Sequence, residues 1–502
     1  MNVISIHPPE RGAHEVLFRW TVSPLTKLYN TDQFVLRFPK SIDLSRTPDY
    51  ILWHVALAIL HSHWPLLRPC QVRLPIRLSA QELAVWERLL DAEIWTLESL
   101  AGTTRLDREI EIVQEGDLLT TGASLPDSGR CVTAFSGGKD SLVQAGILRE
   151  IGPRPILVAV TSPLPGLEDH VTARRREILD RVSHRSDLTL IEVESDQRAS
   201  FDNAFADACG YPTSVNSMSD TFLYYGALLA VGFALEAPHL FLASEAEVQC
   251  NAEFDGRIVQ HTHYMYSNVT QRTLQALVGQ IGLHYCSLTS PLHSYQVQEL
   301  LWTRYRDLSQ FQYSCWRVRG NDWVCNSCSQ CLRIAFMILS LGESPSTVGF
   351  DLVKLLNTMG NWSPKLLGES PRPALPGQIV SSGLHLQAAR AIFRTSTRDV
   401  VREIALNTPS ALLTPQASDA LQAYLGLRDR SRRALLGVPH AGAPGYRPGF
   451  LKLIDPLIRD LVAAIYEQAF QAAPEESYRQ ILERSDALTA WILEPLNGHQ
   501  PQ

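Results

Sequence analysis

The chain reads as an α/β protein whose middle segment is a parallel sheet, with an α/β segment ahead of it and a helical segment behind. Three observations carry this reading. Residues 131–243 alternate short apolar runs with helical stretches: strand 131–135, helix 142–151, strand 155–160, helix 171–183, strand 188–193, helix 219–236 and strand 239–243. That order predicts parallel strands joined by right-handed crossovers, with helices on both faces. The first strand runs straight into Ser136-Gly137-Gly138-Lys139-Asp140-Ser141 at the head of a helix. Finally, 45% of the 502 residues are hydrophobic and only 19% charged, which supports several buried cores and excludes a disordered chain.

The remaining elements follow from periodicity. In residues 1–128, strands are expected over 14–22, 33–38, 71–78 and 106–113, with helices over 50–63 and 80–97. No catalytic motif stands out there, so this segment reads as an α/β accessory domain that caps the centre or docks a partner. The Gly, Pro, Asp and Ser of residues 121–129 form a connection. The central domain spans 129–345. Residues 346–502 read as a helical domain, with helices over 388–406, 416–427 and 453–470. Pro373 and Pro376 mark a flexible linker and residues 437–449 a loop. No internal repeat is apparent.

Charge and hydropathy exclude further classes. Net charge is −7, so nothing draws the whole chain to nucleic acid. Arg174-Arg175-Arg176 reads as the solvated face of a helix. No apolar run is long enough for a bilayer; residues 225–235 read as a core helix. The opening Met1-Asn2-Val3-Ile4-Ser5 carries no secretory pattern, which predicts a reducing cytoplasmic setting and disfavours disulfides.

Two motifs carry chemistry. In the 136–141 turn, successive backbone N–H groups and the helix N-terminus form a concave site for an anion. Gly137 and Gly138 allow close approach, and Ser136 and Ser141 add hydroxyl donors. The spacing is not that of a Walker A loop. An ordinary glycine turn is the bland alternative, and the complete six-residue run weighs against it. The second motif is Cys315, Cys325, Cys328 and Cys331, spaced C-x9-C-x2-C-x2-C. Four thiolates so spaced close around one tetrahedral Zn²⁺ and tie down the polar 317–322 loop. An iron–sulfur cluster is chemically allowed by the same ligands, and disulfides are the remaining alternative.

The 136–141 run resembles the PP-loop of the N-type ATP pyrophosphatases, whose core is the adenine nucleotide alpha hydrolase-like (HUP) sheet. With the cysteine cluster, residues 130–342 resemble the QueC family of 7-cyano-7-deazaguanine synthases. Ser290-Pro291-Leu292 with the helix after it, and Leu240-Phe241-Leu242-Ala243-Ser244-Glu245, are similar to that family's segments. Two stretches depart from it. Residues 216–221 stand where the family has Gly-Arg-Asn, and the substrate loop reads 247–255 with Cys250 inside it. The long flanks make the chain similar to the QueC-like proteins of bacterial anti-phage systems, QatC and the QueC-like member of type IV CBASS operons.

The resemblance implies that Ser136, Gly137, Gly138, Lys139, Asp140 and Ser141 hold the ATP phosphates. Lys139 would neutralise charge and Asp140 position Mg²⁺, while Thr161 and Ser162 take the adenine or ribose. It implies adenylation of a 7-carboxy-7-deazaguanine-like acid, then transfer to an amine. The amine is ammonia, giving an amide or nitrile, or belongs to a protein partner from the same defence operon. Glu245, Glu247 and Asp255 are the expected substrate contacts, and Cys315, Cys325, Cys328 and Cys331 the ligands of a structural Zn²⁺. His170 reads as a possible phosphate neighbour; His261 and His263, flanked by Tyr264 and Tyr266, could stack a purine or form a second metal site, but without a third ligand the pair reads as structural. Other classes of function stay open at this point: a tRNA-modifying PP-loop enzyme of thiolation or lysidine type, and a nucleotide-gated scaffold without catalysis. The acidic balance weighs against the first, the intact phosphate turn against the second.

Overall fold

The computed structural model describes all residues except 123, 153, 163–167, 186, 250, 261–263, 316, 318–322, 359–381, 408–413, 437–444 and 498–502. Four strands open the chain: β1 (Asn2–Ile6), β2 (Glu10–Arg11), β3 (Glu15–Ser23) and β4 (Gln33–Arg37). β3 pairs antiparallel with the other three. Its burial alternates, with Val16, Phe18 and Trp20 turned into the core, as a sheet with one covered face requires. β1 has only the short apolar run of Val3 to Ile6 as its sequence signal, and none of the expected strands covers it. α1 (Asp49–His61) is buried at every position from Tyr50 on. β5 (Cys70–Leu74) and β6 (Ile110–Gln114) then extend the sheet in parallel from β1. Between them, α2 (Ala80–Ala101) opens on a capping box, in which Ser79 Oγ accepts from Glu82 N–H and the Glu82 carboxylate accepts from Ser79 N–H.

The centre runs β7 (Cys131–Ala134), α3 (Lys139–Ile151), β8 (Ile156–Thr161), α4 (Glu168–Ser183), β9 (Thr189–Ser195), α5 (Phe205–Ala208), α6 (Val215–Ala234) and β10 (His239–Phe241). A separate hairpin, β11 (Asn251–Phe254) with β12 (Arg257–Gln260), follows. After it come α7 (Asn268–Gly279), β13 (His284–Cys286), α8 (Ser294–Thr303), α9 (Arg306–Ser309) and α10 (Ser329–Ser340). β7 and β8 are buried at every residue, which explains their unbroken apolar sequences. Strands β9, β8, β7, β10 and β13 lie side by side in that order, all parallel. The largely parallel central sheet is therefore present. In order of appearance these are strands 3-2-1-4-5, so the winding reverses between β7 and β10.

The remaining helices are α11 (Leu352–Asn357), α12 (Ser382–Arg394), α13 (Thr397–Asn407), α14 (Pro415–Leu436), α15 (Pro456–Ala469) and α16 (Arg479–Asn497). The single helix expected over 388–406 is two. Ser396 interrupts it, and its Oγ accepts from Asp399 N–H at 3.1 Å, a fresh N-cap. The Pro373 and Pro376 linker lies outside the described residues, as does most of the 437–449 loop.

β4 pairs antiparallel with β9, Leu36 opposite Ser195 and Arg37 opposite Glu194. The sheet thus runs unbroken from β13 to β6, across the boundary expected near residue 128. Each face covers one core. Val132, Ala134, Val158 and Val160 face a core shared with α1, α2, α6 and α7, while Leu157 and Ala159 face one shared with α3, α8, α10 and α14. In α6, Gly226 permits the close approach of α1, since a Cβ there would stand 2.7 Å from Val55 Cγ1. The last helix returns to the first core: Leu488 and Ile492 of α16 are buried in it, and the Trp491 ring lies 5.0 Å from that of Trp95. Among the described residues, no helix is long and apolar enough to cross a membrane.

Candidate functional site

The 136–141 turn leaves the C-terminal end of β7, at the point where the winding reverses. That is where ligands sit in open sheets of this kind. Gly137 holds φ +77°, a left-handed conformation that turns the chain toward α3. Gly138 is the N-cap residue of α3 and no side chain caps the helix there. Ser136 Oγ accepts from Gly138 N–H at 3.4 Å, and Ser141 Oγ donates to Gly138 O at 2.9 Å, so the loop is braced from within. Tyr313 N–H donates to Gly137 O at 2.7 Å and ties the turn to the segment that leads into the cysteine cluster. Gln144 fixes the helix behind it: its amide donates to Thr133 Oγ1 at 2.8 Å and accepts from Leu288 N–H at 3.0 Å.

Lys139 is buried, and its Nζ donates to Asp140 at 2.7 and 2.9 Å and to Glu245 Oε2. Burial disfavours its charge, yet the two carboxylates outweigh that and raise its pKa. Burial, followed by the neighbouring charge of Glu245, raises Asp140 despite Lys139. Glu245 also suffers burial, but Lys139 and a hydrogen bond from Asp140 hold it down to about 2. Lys139 binds both carboxylates and Arg333 adds positive field at Glu245; the two carboxyl groups are oxygen ligands of the kind a hard divalent ion takes. The residue before Glu245 is anchored: Ser244 N–H donates to Ser287 Oγ and Thr289 Oγ1 at 2.8 and 3.0 Å, and Gln249 donates to Ser244 Oγ at 2.7 Å.

A cavity of about 260 Å³ opens beside this trio. Ser136, Asp140, Ser141 and Glu245 line it, and so does a second group, Arg198, Asp220, Tyr224 and Tyr266. Of the second group, the sequence reading does not name Arg198 or Tyr224, and Tyr266 enters it only as a flank of His261 and His263. Arg198 comes from a short turn after β9 with no motif, and Asp220 lies in the 216–221 stretch noted only as a departure. Arg198 Nε donates to Asp220 Oδ1 at 2.9 Å, and its Nη1 to Ser162 O at 3.2 Å. Of the arginine triplet read as a solvated face, Arg175 is buried and donates to the Tyr224 hydroxyl.

Other expected site residues are placed elsewhere. Thr161 Oγ1 donates to Glu192 at 2.6 Å, and Ser162 lies behind Arg198, so neither lines the cavity. The buried Glu247 carboxylate accepts from Ser294 N–H at 2.9 and 3.1 Å and meets His293 Nδ1 at 3.0 Å. It caps α8 rather than facing the cavity. Asp255, φ 47°, and Gly256, φ 70°, form the exposed tip of the β11–β12 hairpin, a two-residue turn. Cys250, His261 and His263 lie outside the described residues. His170 is in α4.

Cys315, Cys325 and Cys331 bring their sulfurs within 4.8 Å of one another, and Cys328 Sγ is 3.4 Å from Cys331 Sγ. Cys325 Sγ and Cys331 Sγ are 3.6 Å apart. Tetrahedral zinc with Zn–S of about 2.3 Å needs sulfurs about 3.8 Å apart, close to this spacing. Backbone N–H groups already point at the sulfurs, Cys325 N–H to Cys315 at 3.2 Å and Cys331 N–H to Cys328 at 3.4 Å, as thiolates require. The four cysteines form no disulfide. The cluster can hold a metal ion. Comparison with known protein families, with curated proteins and with solved structures returns no match.

Proposed function

We propose that this chain is a QueC-like ATP-dependent ligase of the PP-loop (HUP) type, forming AMP and pyrophosphate. It adenylates a 7-deazapurine carboxylic acid and transfers the acyl group to an amine. The observation that carries this reading is the junction of the 136–141 turn with Lys139, Asp140 and Glu245 at the reversal of the sheet winding. The N–H groups of the turn and the α3 N-terminus favour the β,γ-phosphates. The substrate carboxylate attacks the α-phosphorus, the α–β bridging bond breaks, and pyrophosphate leaves with the electron pair. Lys139 stabilises that leaving charge from a buried position, where the interaction is strong. Asp140 and Glu245 are the residues that would hold Mg²⁺, which supplies further neutralisation of the triphosphate. An amine then attacks the acyl carbon and AMP departs.

In the same reading the four-cysteine cluster is a structural Zn²⁺ site and the protein works in the cytoplasm. The acceptor is ammonia, or an amine of a protein encoded beside it in an anti-phage operon. The test is pyrophosphate release from ATP with 7-carboxy-7-deazaguanine as the acid. Wild type is expected to release pyrophosphate only when the acid is present, and Lys139→Ala to lose about 100-fold or more. Release that is absent in wild type, or unaffected by Lys139→Ala, removes the reading. Mass spectrometry of operon partners after the same incubation then separates protein conjugation from nitrile formation.

A further inference from the structure

Arg198 and Asp220 line the same cavity as Asp140 and Glu245, and their arrangement is specific. Arg198 is almost fully buried, yet it has a place to reach: Nε is held by Asp220 Oδ1 at 2.9 Å and Nη1 by Ser162 O at 3.2 Å. Among the described residues, Nη2 of Arg198 and Oδ2 of Asp220 have no hydrogen-bond partner. A donor pair and an anionic acceptor therefore stand side by side on one wall of the cavity. The Tyr224 and Tyr266 rings line the space in front of them. At about 260 Å³ this space is below the range of about 300–1,000 Å³ typical for drug-sized ligands. It suits a flat bicyclic base.

We infer that Arg198 and Asp220 select the base of the acid substrate, reading a guanine-type edge. That edge presents a carbonyl oxygen beside two N–H donors. Arg198 Nη2 donates to the oxygen, and Asp220 accepts from the ring N–H and the 2-amino group. An adenine-type edge has an amino donor where the carbonyl would be, and so sets donor against donor at Arg198. With the base held by this pair, a carboxylate on the opposite ring is left free for the 136–141 turn, whose Ser136, Asp140 and Ser141 line the same cavity. The inference rests on the function proposed above and adds the residues that determine specificity.

The experiment is isothermal titration calorimetry on the full chain with three acids: 7-carboxy-7-deazaguanine, the same acid without its 2-amino group, and its adenine-edged counterpart. Each is titrated with and without a non-hydrolysable ATP analogue. Wild type is expected to bind the first about 10- to 100-fold more tightly than the second, the loss of one hydrogen bond to a charged group, and the third most weakly. Asp220→Asn, nearly isosteric, is expected to erase the preference for the 2-amino group while the ATP analogue binds within twofold of wild type. Equal binding of the three acids, no binding of any, or a preference that survives in Asp220→Asn overturns the inference. The ligand series on wild type decides the matter even if the variant folds poorly. Should wild type show the edge preference but not bind the ATP analogue, the proposed activation step fails and the base-reading pair stands.

Discussion

Lys139, Asp140 and Glu245 illustrate what a single residue's place in the chain does and does not announce. Lys139 and Asp140 are adjacent in a motif, and their partnership is local. Glu245 arrives from 106 positions away, at the end of the strand neighbouring β7. Glu247 is only two residues on, yet it is spent on the buried Ser294 N–H at the head of α8. Glu247→Ala is therefore expected to lower stability by about 1–3 kcal/mol, measured by chemical denaturation, with the affinity for an ATP analogue unchanged. A loss of nucleotide or acid affinity at full stability would instead return Glu247 to the binding machinery. Ser136 to Ser141 were legible because a turn's geometry is written in consecutive residues. Arg198 and Asp220 were not, since each alone is an ordinary surface-type residue and only burial against the other gives it meaning.

Among the elements, α1 shows a choice with a pH consequence. His54, His61 and the nearby His63 are fully buried, and burial above all lowers them to about 4, about 4 and about 3. At His54 the charge of Glu82 offsets this only in part. The unfolded chain binds these protons near pH 6.5, whereas the folded chain does not until the pH nears 4. Stability is therefore complete above about pH 6.5 and falls as the pH drops toward 4, by several kcal/mol over the three groups at about 1.4 kcal/mol per pKa unit. Urea midpoints taken between pH 7.5 and 4.5 check this; a flat profile contradicts it. The cysteine element makes a separate prediction. One zinc per chain is expected by elemental analysis, with Cys331→Ser losing it and a strong chelator lowering the melting temperature. The hairpin at Asp255-Gly256 carries a lesson in reading: Asp-Gly between strand-like runs is a turn signal, and turn chemistry accounts for Asp255 without any ligand.

At the scale of the whole molecule, three stretches of sequence are joined by one sheet and two cores. The β4–β9 pairing welds the first stretch to the second. α16 ties the third to both: Arg88 of the first meets Glu494 at 2.7 Å, and Asn251 of β11 in the second donates to Ser485 Oγ at 2.9 Å. Leu488→Ala and Ile492→Ala are each expected to cost about 2–5 kcal/mol, and to increase proteolytic cleavage within α1 and α2 as well as in α16 itself. Cleavage confined to residues after 478 would mean that the helix is only an appendage.

The sequence by itself determined the features that depend on neighbours along the chain: most of the strand and helix pattern, the 136–141 turn at the head of a helix, and the four-cysteine spacing. Periodicity and turn geometry are local, so they survive without a structure. Tertiary structure decided which strands lie together, that the sheet crosses the expected domain boundary, and which acids face the cavity. Those outcomes depend on contacts between residues tens to hundreds of positions apart, and on burial, which turns Arg198 and Asp220 into a matched pair and Glu247 into a helix cap.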